Sequence, residues 1–129
     1  MNPAAQGKGY PPTAFEVSAE RVAAFAAVLG APADSVPPTF LAAVEFTVFP
    51  EVIDDPALDL DFSRVVHGEQ EYEWRRPLRI GETISARPTI ASIKQRGGLG
   101  FVTIETLVHD VDGELVAVCR STMIERSPR

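Results

Sequence analysis

The chain has 129 residues, which suits one domain, and 45% of them are hydrophobic, which is typical of a globular protein with a single core. Its 18 acidic residues outnumber its 12 basic ones, and the formal charge of −6 weighs against a general nucleic-acid binder, because phosphates are engaged by basic surfaces. No apolar run approaches the roughly 20 residues of a membrane-spanning helix. We therefore expect a soluble, cytoplasmic protein.

Residues 1–12 lack the apolar core of a secretory signal, and we interpret them as a flexible leader before a single domain at residues 13–126. Cys119 is the only cysteine, which excludes an intrachain disulfide. His67 and His109 are the only histidines, which weighs against an all-protein transition-metal site. We expect no metal and no cofactor.

The first long element after the leader is predicted as a helix. Ser18 can accept a hydrogen bond from an unpaired backbone N–H group as an N-cap, and Gly30 is a typical residue just beyond a C-terminus. Between them, apolar residues recur at helical spacing (Val22, Phe25, Ala26 and Leu29). Pro32 prevents the helix from continuing.

The second predicted helix begins near Thr39, which could cap it, and is apolar nearly all round. Its bulky residues are Phe40, Leu41, Val44, Phe46, Val48 and Phe49. A helix with this pattern is usually buried on every side. We therefore expect it at the centre of the fold.

From Val65 onward the hydrophobic pattern changes to a period of two. Four strands are predicted, at residues 65–76, 82–94, 99–110 and 114–125, and the tight joints between them indicate an antiparallel meander. Pro88 within the second predicted strand favours an edge position or a bulge, because proline has no N–H to donate. The fold class is therefore α+β, with an antiparallel sheet around a buried helix.

Four stretches, taken together and in this order, resemble the MaoC-like dehydratases. They are "PPTF" at 37–40, "VVHGEQEYEWRRPLRIGETI" at 65–84, "KQRGGLGFVTIET" at 94–106 and "DGELVAVCRSTMIER" at 112–126. The resemblance is to the N-terminal-type branch, the fatty-acid-synthase-like dehydratase domain, and runs from about Tyr10 to Arg126. It implies the hot-dog fold, in which a long meander surrounds a central helix.

The resemblance also implies an activity and a partner. Members of the family add water to, or remove it from, acyl thioesters of coenzyme A or acyl carrier protein, and two hot-dog units pair as a homodimer or heterodimer. Catalytic members carry an Asp, and a His five positions later, after the first helix. Here that loop is shortened to residues 30–36; its one acid is Asp34, and Thr39 stands five positions later. Neither catalytic residue can be carried over.

His67 opens the "HGEQ" stretch of the predicted strand at 65–76. Strict alternation places it on the same face as Glu69, Glu71 and Glu73, opposite Gln70. We favour a structural hydrogen bond for His67 over a role in lining a thioester groove, and both over a role as sole general base. His67 and Gln70 are nevertheless carried as candidate substrate-binding residues, and His67 as a candidate catalytic residue.

Arginine and lysine side chains flank two of the predicted turns. Arg75 and Arg76 precede "PLRIG", and Lys94 and Arg96 precede "GG" at 97–98. These four could bind the phosphates of a thioester carrier, with glycine N–H groups assisting. The competing interpretation is that they are solvated hairpin ends.

Three functions follow from these observations. The first is a hot-dog subunit of a (3R)-hydroxyacyl thioester dehydratase or enoyl hydratase system, inactive alone, that binds substrate or completes an interface. The second is a thioesterase that uses Glu45, a carboxylate on the predicted central helix, although an exposed position for Glu45 is the simpler expectation. The third is a non-enzymatic acyl-thioester-binding module.

Overall fold

The computed structural model describes residues 1–128, which form five strands and two α-helices with three short 3₁₀ turns. The strands are β1 (Thr13–Glu16), β2 (Val65–Trp74), β3 (Thr83–Arg96), β4 (Leu99–His109) and β5 (Leu115–Arg126); the helices are α1 (Ala19–Leu29) and α2 (Leu41–Ile53). The antiparallel sheet has the strand order β1-β3-β4-β5-β2. Within residues 1–128, neither helix is long and apolar enough to cross a membrane.

The ends of α1 follow the sequence signals. The Ser18 hydroxyl accepts the N–H of Arg21 at 3.2 Å, and Gly30 adopts a left-handed φ of 67° just beyond the last turn. Both groups satisfy backbone atoms that a helix leaves unpaired at its ends.

Helix α2 begins differently from the prediction. Thr39 does not cap it, since Thr39 lies in the 3₁₀ turn Pro38–Phe40 and α2 begins at Leu41 without a side-chain cap. The helix continues through Pro50 to Ile53. Its buried apolar residues join side chains from the sheet in one core (Leu41, Val44, Val48, Phe49 and Val52).

The expectation that α2 is buried on every side is wrong for one face. Phe46 is 66% exposed, although residues one turn away on the sheet side are fully buried. The reason is positional, because Phe46 lies on the side of α2 next to β2, the last strand of the sheet, where it lines an open groove with Val65 and His67. Nothing beyond β2 in residues 1–128 covers it.

The first twelve residues pack against the domain instead of forming a flexible leader. The N–H of Gly7 donates to Ile90 at 2.8 Å, and the N–H of Tyr10 donates to Pro88 at 3.0 Å. The Tyr10 ring is buried, and its hydroxyl donates to Asp55 at 2.8 Å. This segment precedes β1 in the chain and lies along the part of β3 that β1 does not cover.

That arrangement explains how β3 accommodates Pro88. The pairing of β1 with β3 stops at Ala86, so no regular strand covers Pro88 on that side. A residue in a strand directs its nitrogen and carbonyl to the same side, and the Pro88 carbonyl accepts from Tyr10. The missing N–H therefore costs no hydrogen bond of the β3–β4 ladder. β3 is an inner strand of the sheet, so the edge position expected from the sequence is found only locally, where residues 7–10 and not a regular strand lie beside Pro88.

We expect Phe40→Ala to destabilise the fold by about 3–5 kcal/mol, because Phe40 is buried and its ring makes edge contacts with Phe15 and Phe25. Val28→Ala is the control, since Val28 is 87% exposed and its loss should change the free energy of unfolding by less than about 0.5 kcal/mol. Urea denaturation measures both. Similar effects for the two variants would contradict the central place of Phe40 in the core.

Candidate functional site

A bulge at Gly68 determines which side chains of β2 face α2. The pairing with β5 passes from His67 opposite Met123 to Glu69 opposite Thr122, so Gly68 has no partner of its own. One extra residue reverses the alternation of the strand. His67 therefore shares its face with Gln70, and not with the glutamates as strict alternation predicted.

Gly68 is also a position where a side chain would be crowded. A Cβ atom there would lie 2.6 Å from Cδ1 of Ile124 on β5. The close neighbour is therefore a side chain of the same sheet.

His67 lies in an apolar groove between the C-terminal half of α2 and the start of β2. Its Nε2 atom is 3.0 Å from the carbonyl oxygen of Glu69, across the bulge. The groove has a volume of about 440 Å³ and is lined by Phe46, Phe49, Pro50, Ile53, Asp54, Phe62, Val65, His67 and Met123. A histidine here can hold the bulge and also face a ligand in the groove.

The groove opens along a free strand edge. β2 pairs only with β5 and leaves its other edge uncovered within residues 1–128. Phe46, Phe62 and Val66 are 66%, 59% and 43% exposed beside this edge. Exposed apolar side chains next to an unpaired edge are typical of an interaction surface.

Glu45 is buried, which contradicts the exposed position favoured from the sequence. It is 1% exposed and faces the sheet from α2. The amide Nε2 of Gln70 donates to its Oε1 at 3.0 Å, and the Ser121 hydroxyl donates to Oε1 of Gln70. Oε2 of Glu45 has no hydrogen-bond partner among residues 1–128. Gln70 therefore joins α2, β2 and β5.

Burial raises the pKa of the Glu45 carboxyl, and the hydrogen bond from Gln70 opposes that rise. Burial and the nearby Glu45 charge also raise the pKa of the Tyr72 phenol and of the Cys119 thiol. These directions agree, because a low-dielectric region disfavours each charged form. Within this cluster, burial therefore disfavours the charged forms of Glu45, Tyr72 and Cys119.

The loop after α1 contains no catalytic pair. Asp34 is exposed, and Thr39 lies in the following 3₁₀ turn. The two histidines lie on β2 and β4, outside this loop. This loop therefore supplies an Asp but no His.

The four candidate phosphate-binding cations occupy two separate places. Arg76 is held by Glu82 at 2.8 Å and by Asp110 at 3.2 Å, and hydrogen bonding to Glu82 raises its pKa further. Arg75 lies 3.4 Å from Glu73. Lys94 and Arg96 are exposed near the turn between β3 and β4 and make no ion pair within residues 1–128.

The structure thus divides the residues proposed from sequence. His67 lines the groove, Gln70 supports Glu45, and the cations lie elsewhere. Sequence analysis missed Phe62, Ser121 and Met123, which reach this region only through strand pairing and the 3₁₀ turn before β2. The apolar or polar character of these three residues alone carries no signal for a site.

A sheet of this topology around a central helix, with an apolar groove at its edge, defines a hot-dog protein. The chain is similar to three known proteins. One is a UPF0336 protein of Streptomyces avermitilis, 37% identical over 138 residues, with 94% of this chain and 92% of that protein covered. The others are solved structures.

One solved structure is the C-terminally truncated HadBC (3R-hydroxyacyl-ACP dehydratase) complex of Mycobacterium tuberculosis. It has a TM-score of 0.79 and 23% identity, covering 93% of this chain and 96% of that one. The other is a MaoC-like dehydratase of Rhodospirillum rubrum, with a TM-score of 0.64 and 18% identity, covering 97% and 94%. Both have the fold in common with this protein.

Residues 4–119 match the family described as "FAS1-like, dehydratase domain region", and this chain belongs to that family. The hot-dog fold and the resemblance to MaoC-like dehydratases inferred from sequence are thereby confirmed.

We expect Glu45→Gln to stabilise the protein at alkaline pH. A carboxyl whose folded pKa lies above its unfolded value contributes its stability below the unfolded pKa, and that contribution is lost as pH rises through the folded pKa. The free energy of unfolding of the variant should therefore equal that of the wild type near pH 4. It should be higher by about 1–3 kcal/mol near pH 8, because an uncharged amide replaces a buried, unpartnered carboxylate oxygen.

Urea denaturation across this pH range measures the difference. Glu51→Gln, an exposed change on the same helix, is the control and should show no such pH dependence. A Glu45→Gln variant that is less stable than wild type at every pH would contradict the interpretation.

Proposed function

We propose that this chain is a hot-dog subunit of a (3R)-hydroxyacyl thioester dehydratase or enoyl thioester hydratase system. In this proposal it binds the acyl group and completes an interface, while a second polypeptide supplies the Asp/His pair. The observation that carries the proposal is an apolar groove at a free strand edge in a chain whose loop after α1 holds Asp34 but no histidine.

The chemistry of the groove supports an acyl ligand. Its walls are mainly Phe46, Phe49, Ile53, Phe62 and Met123, and these side chains can cover a hydrocarbon chain without leaving polar atoms unpaired. The groove wall contains one histidine, His67, and one carboxylate, that of Asp54. Neither belongs to the loop after α1, where the family carries its catalytic pair. General acid–base catalysis contributes about 10²–10⁴-fold, so a chain without the family's pair is expected to be inactive alone.

The free edge supports a protein partner. A ten-residue edge strand with exposed apolar neighbours is normally covered in a stable assembly. A second hot-dog subunit that pairs with β2 would bury Phe46, Phe62 and Val66 and would close the groove from its open side. The similar HadBC protein is a complex by its name, which agrees with a hot-dog partner here.

Thioester hydrolysis is the second candidate, and one observation favours it. Glu45 is a buried carboxyl on α2 with a raised pKa and a free Oε2 atom, as a general base requires. Against it, Glu45 is not among the residues that line the apolar groove. Loss of acyl-coenzyme A hydrolysis in Glu45→Gln would support this candidate, whereas undetectable hydrolysis by the wild-type chain would remove it.

We expect no hydration of crotonyl-coenzyme A by the purified chain, measured as loss of enone absorbance. Mixing it with a hot-dog subunit of the same genome that carries Asp and His five residues apart should produce a rate at least about 100-fold above that of either chain alone, because only the pair supplies acid–base catalysis. A rate from this chain alone that disappears in His67→Ala would contradict the proposal and make His67 catalytic.

We expect Val66→Asp to prevent assembly with such a subunit. Val66 is 43% exposed on the free edge, and a carboxylate there would be desolvated in the interface, so the dissociation constant should rise at least about tenfold. Val111→Asp, at a 79% exposed turn position, is the control and should leave assembly unchanged. Sedimentation velocity measures both, and equal assembly of the two variants would contradict the assignment of β2 to the interface.

A further inference from the structure

The corner of the sheet at the β3–β4 turn gathers cations that have no acidic partner. Arg96 pairs with Leu99 across the turn, and Leu99 pairs with Arg126, so the two arginines lie on one face with one strand between them. Adjacent strands are about 4.8 Å apart, which places their Cα atoms roughly 10 Å from each other. Lys94 lies on the same face two residues before Arg96. None of the three makes an ion pair within residues 1–128.

Near β2 that outer face has the opposite character. Near β2 it presents Glu69, Glu71, Glu73 and Glu105, and the last three of these share the single guanidinium of Arg120. A chain of net charge −6 thus concentrates unpaired positive charge at one corner. An anionic ligand is therefore attracted to this corner and repelled from the part of the face near β2.

A cavity of about 310 Å³ adjoins Arg96, whereas Lys94 and Arg126 are not among the residues that line it. Arg64 and Arg96 line it together with Gly97, Gly98 and Ser127. Both glycines have left-handed φ values, of 59° and 77°, and their N–H groups donate to no acceptor within residues 1–128. The Arg96 guanidinium and two free backbone N–H groups are a donor set suited to a phosphate.

The cavity also contains a carboxylate, Glu125, which is already partnered. Its Oε2 accepts the N–H of Asp61 at 2.7 Å, and its Oε1 lies 3.9 Å from Arg64. Arg64 is further held by Asp61 at 2.8 Å. Arg96 is consequently the guanidinium of the cavity that remains available to an anion.

The cavity and the apolar groove adjoin each other. Met123 lines the groove and Glu125 lines the cavity, two residues apart on the same face of β5, or about 7 Å. On the other side, Phe62 of the groove and Arg64 of the cavity belong to one 3₁₀ turn. A molecule with an apolar chain and a phosphate arm could therefore occupy both.

We infer that this corner, which we call the phosphate corner (Arg96 and the 97–98 turn, with Lys94 and Arg126 nearby on the outer face), binds a phosphate ester of the thioester's carrier arm. The inference rests on the proposed function for the identity of the ligand. The phosphate is common to coenzyme A and to the phosphopantetheine arm of a carrier protein. Arg75 and Arg76, which acidic side chains already hold, take no part.

Calorimetric titration of coenzyme A tests the inference. Arg96→Gln should weaken binding about tenfold or more, because a charge-assisted hydrogen bond to phosphate is lost. Pantetheine, which has no phosphate, should bind the wild type and Arg96→Gln equally. Arg87→Gln is the matched control, since Arg87 is an exposed arginine of the same strand that makes no ion pair within residues 1–128 and lies about 30 Å away along it.

The outcomes separate the sources of the phosphate. If 4′-phosphopantetheine shows the same dependence on Arg96 as coenzyme A, the corner binds the phosphate common to both; if only coenzyme A does, it binds the nucleotide phosphates. Either result supports a phosphate ester site. The inference is overturned if Arg96→Gln binds coenzyme A as tightly as wild type, if Arg87→Gln weakens binding equally, or if the wild type binds neither ligand at millimolar concentration.

A phosphate-free thioester, hexanoyl-pantetheine, distinguishes this inference from the proposed function. If hexanoyl-pantetheine binds while coenzyme A binding does not depend on Arg96, the phosphate-site inference is wrong and the proposal of acyl binding in the groove is retained. If hexanoyl-pantetheine does not bind while coenzyme A binding depends on Arg96, the phosphate-site inference is retained and the proposal of acyl binding by this chain is wrong.

Discussion

Helix α2 buries one face against the sheet, and this contact organises the whole molecule. Its buried leucine and valines each contribute about 1.5–3 kcal/mol by leaving water, and they bring strands that are distant in sequence into one core. The sheet is five strands wide, and the side of the helix next to its last strand, β2, carries Phe46. The same packing that creates the core therefore leaves Phe46 exposed and forms the groove.

The bulge at Gly68 connects that packing to the site. It directs both His67 and Gln70 toward α2, so that one residue lines the groove and the other holds Glu45. A buried carboxyl is tolerated because Gln70 and Ser121 supply hydrogen bonds across three elements. The polar cluster under the helix and the apolar groove beside it thus share one strand.

The charges of the molecule are arranged as unevenly as its apolar surface. Arg76 and Arg120 are each bound by more than one carboxylate, which makes them parts of the scaffold. Arg96 is left without an acid among residues 1–128, next to a glycine turn and a cavity. Function is therefore better sought among unpaired cations than among all the cations of the sequence.

Local signals in the sequence were sufficient to predict the α+β class, the two helices and the four long strands, because periodicity, helix caps and turn residues act over a few neighbouring positions. The family came from the resemblance of four stretches to the MaoC-like dehydratases. The resemblance also indicated that the loop after α1 lacks the family's catalytic pair. The burial of Glu45, the shared face of His67 and Gln70, and the packing of residues 1–12 along β3 emerged only from the folded chain. The physical reason is that these features depend on contacts between distant segments, which the local pattern does not encode. Such contacts decide where a strand bulges, the order of the strands and which side of a helix is covered.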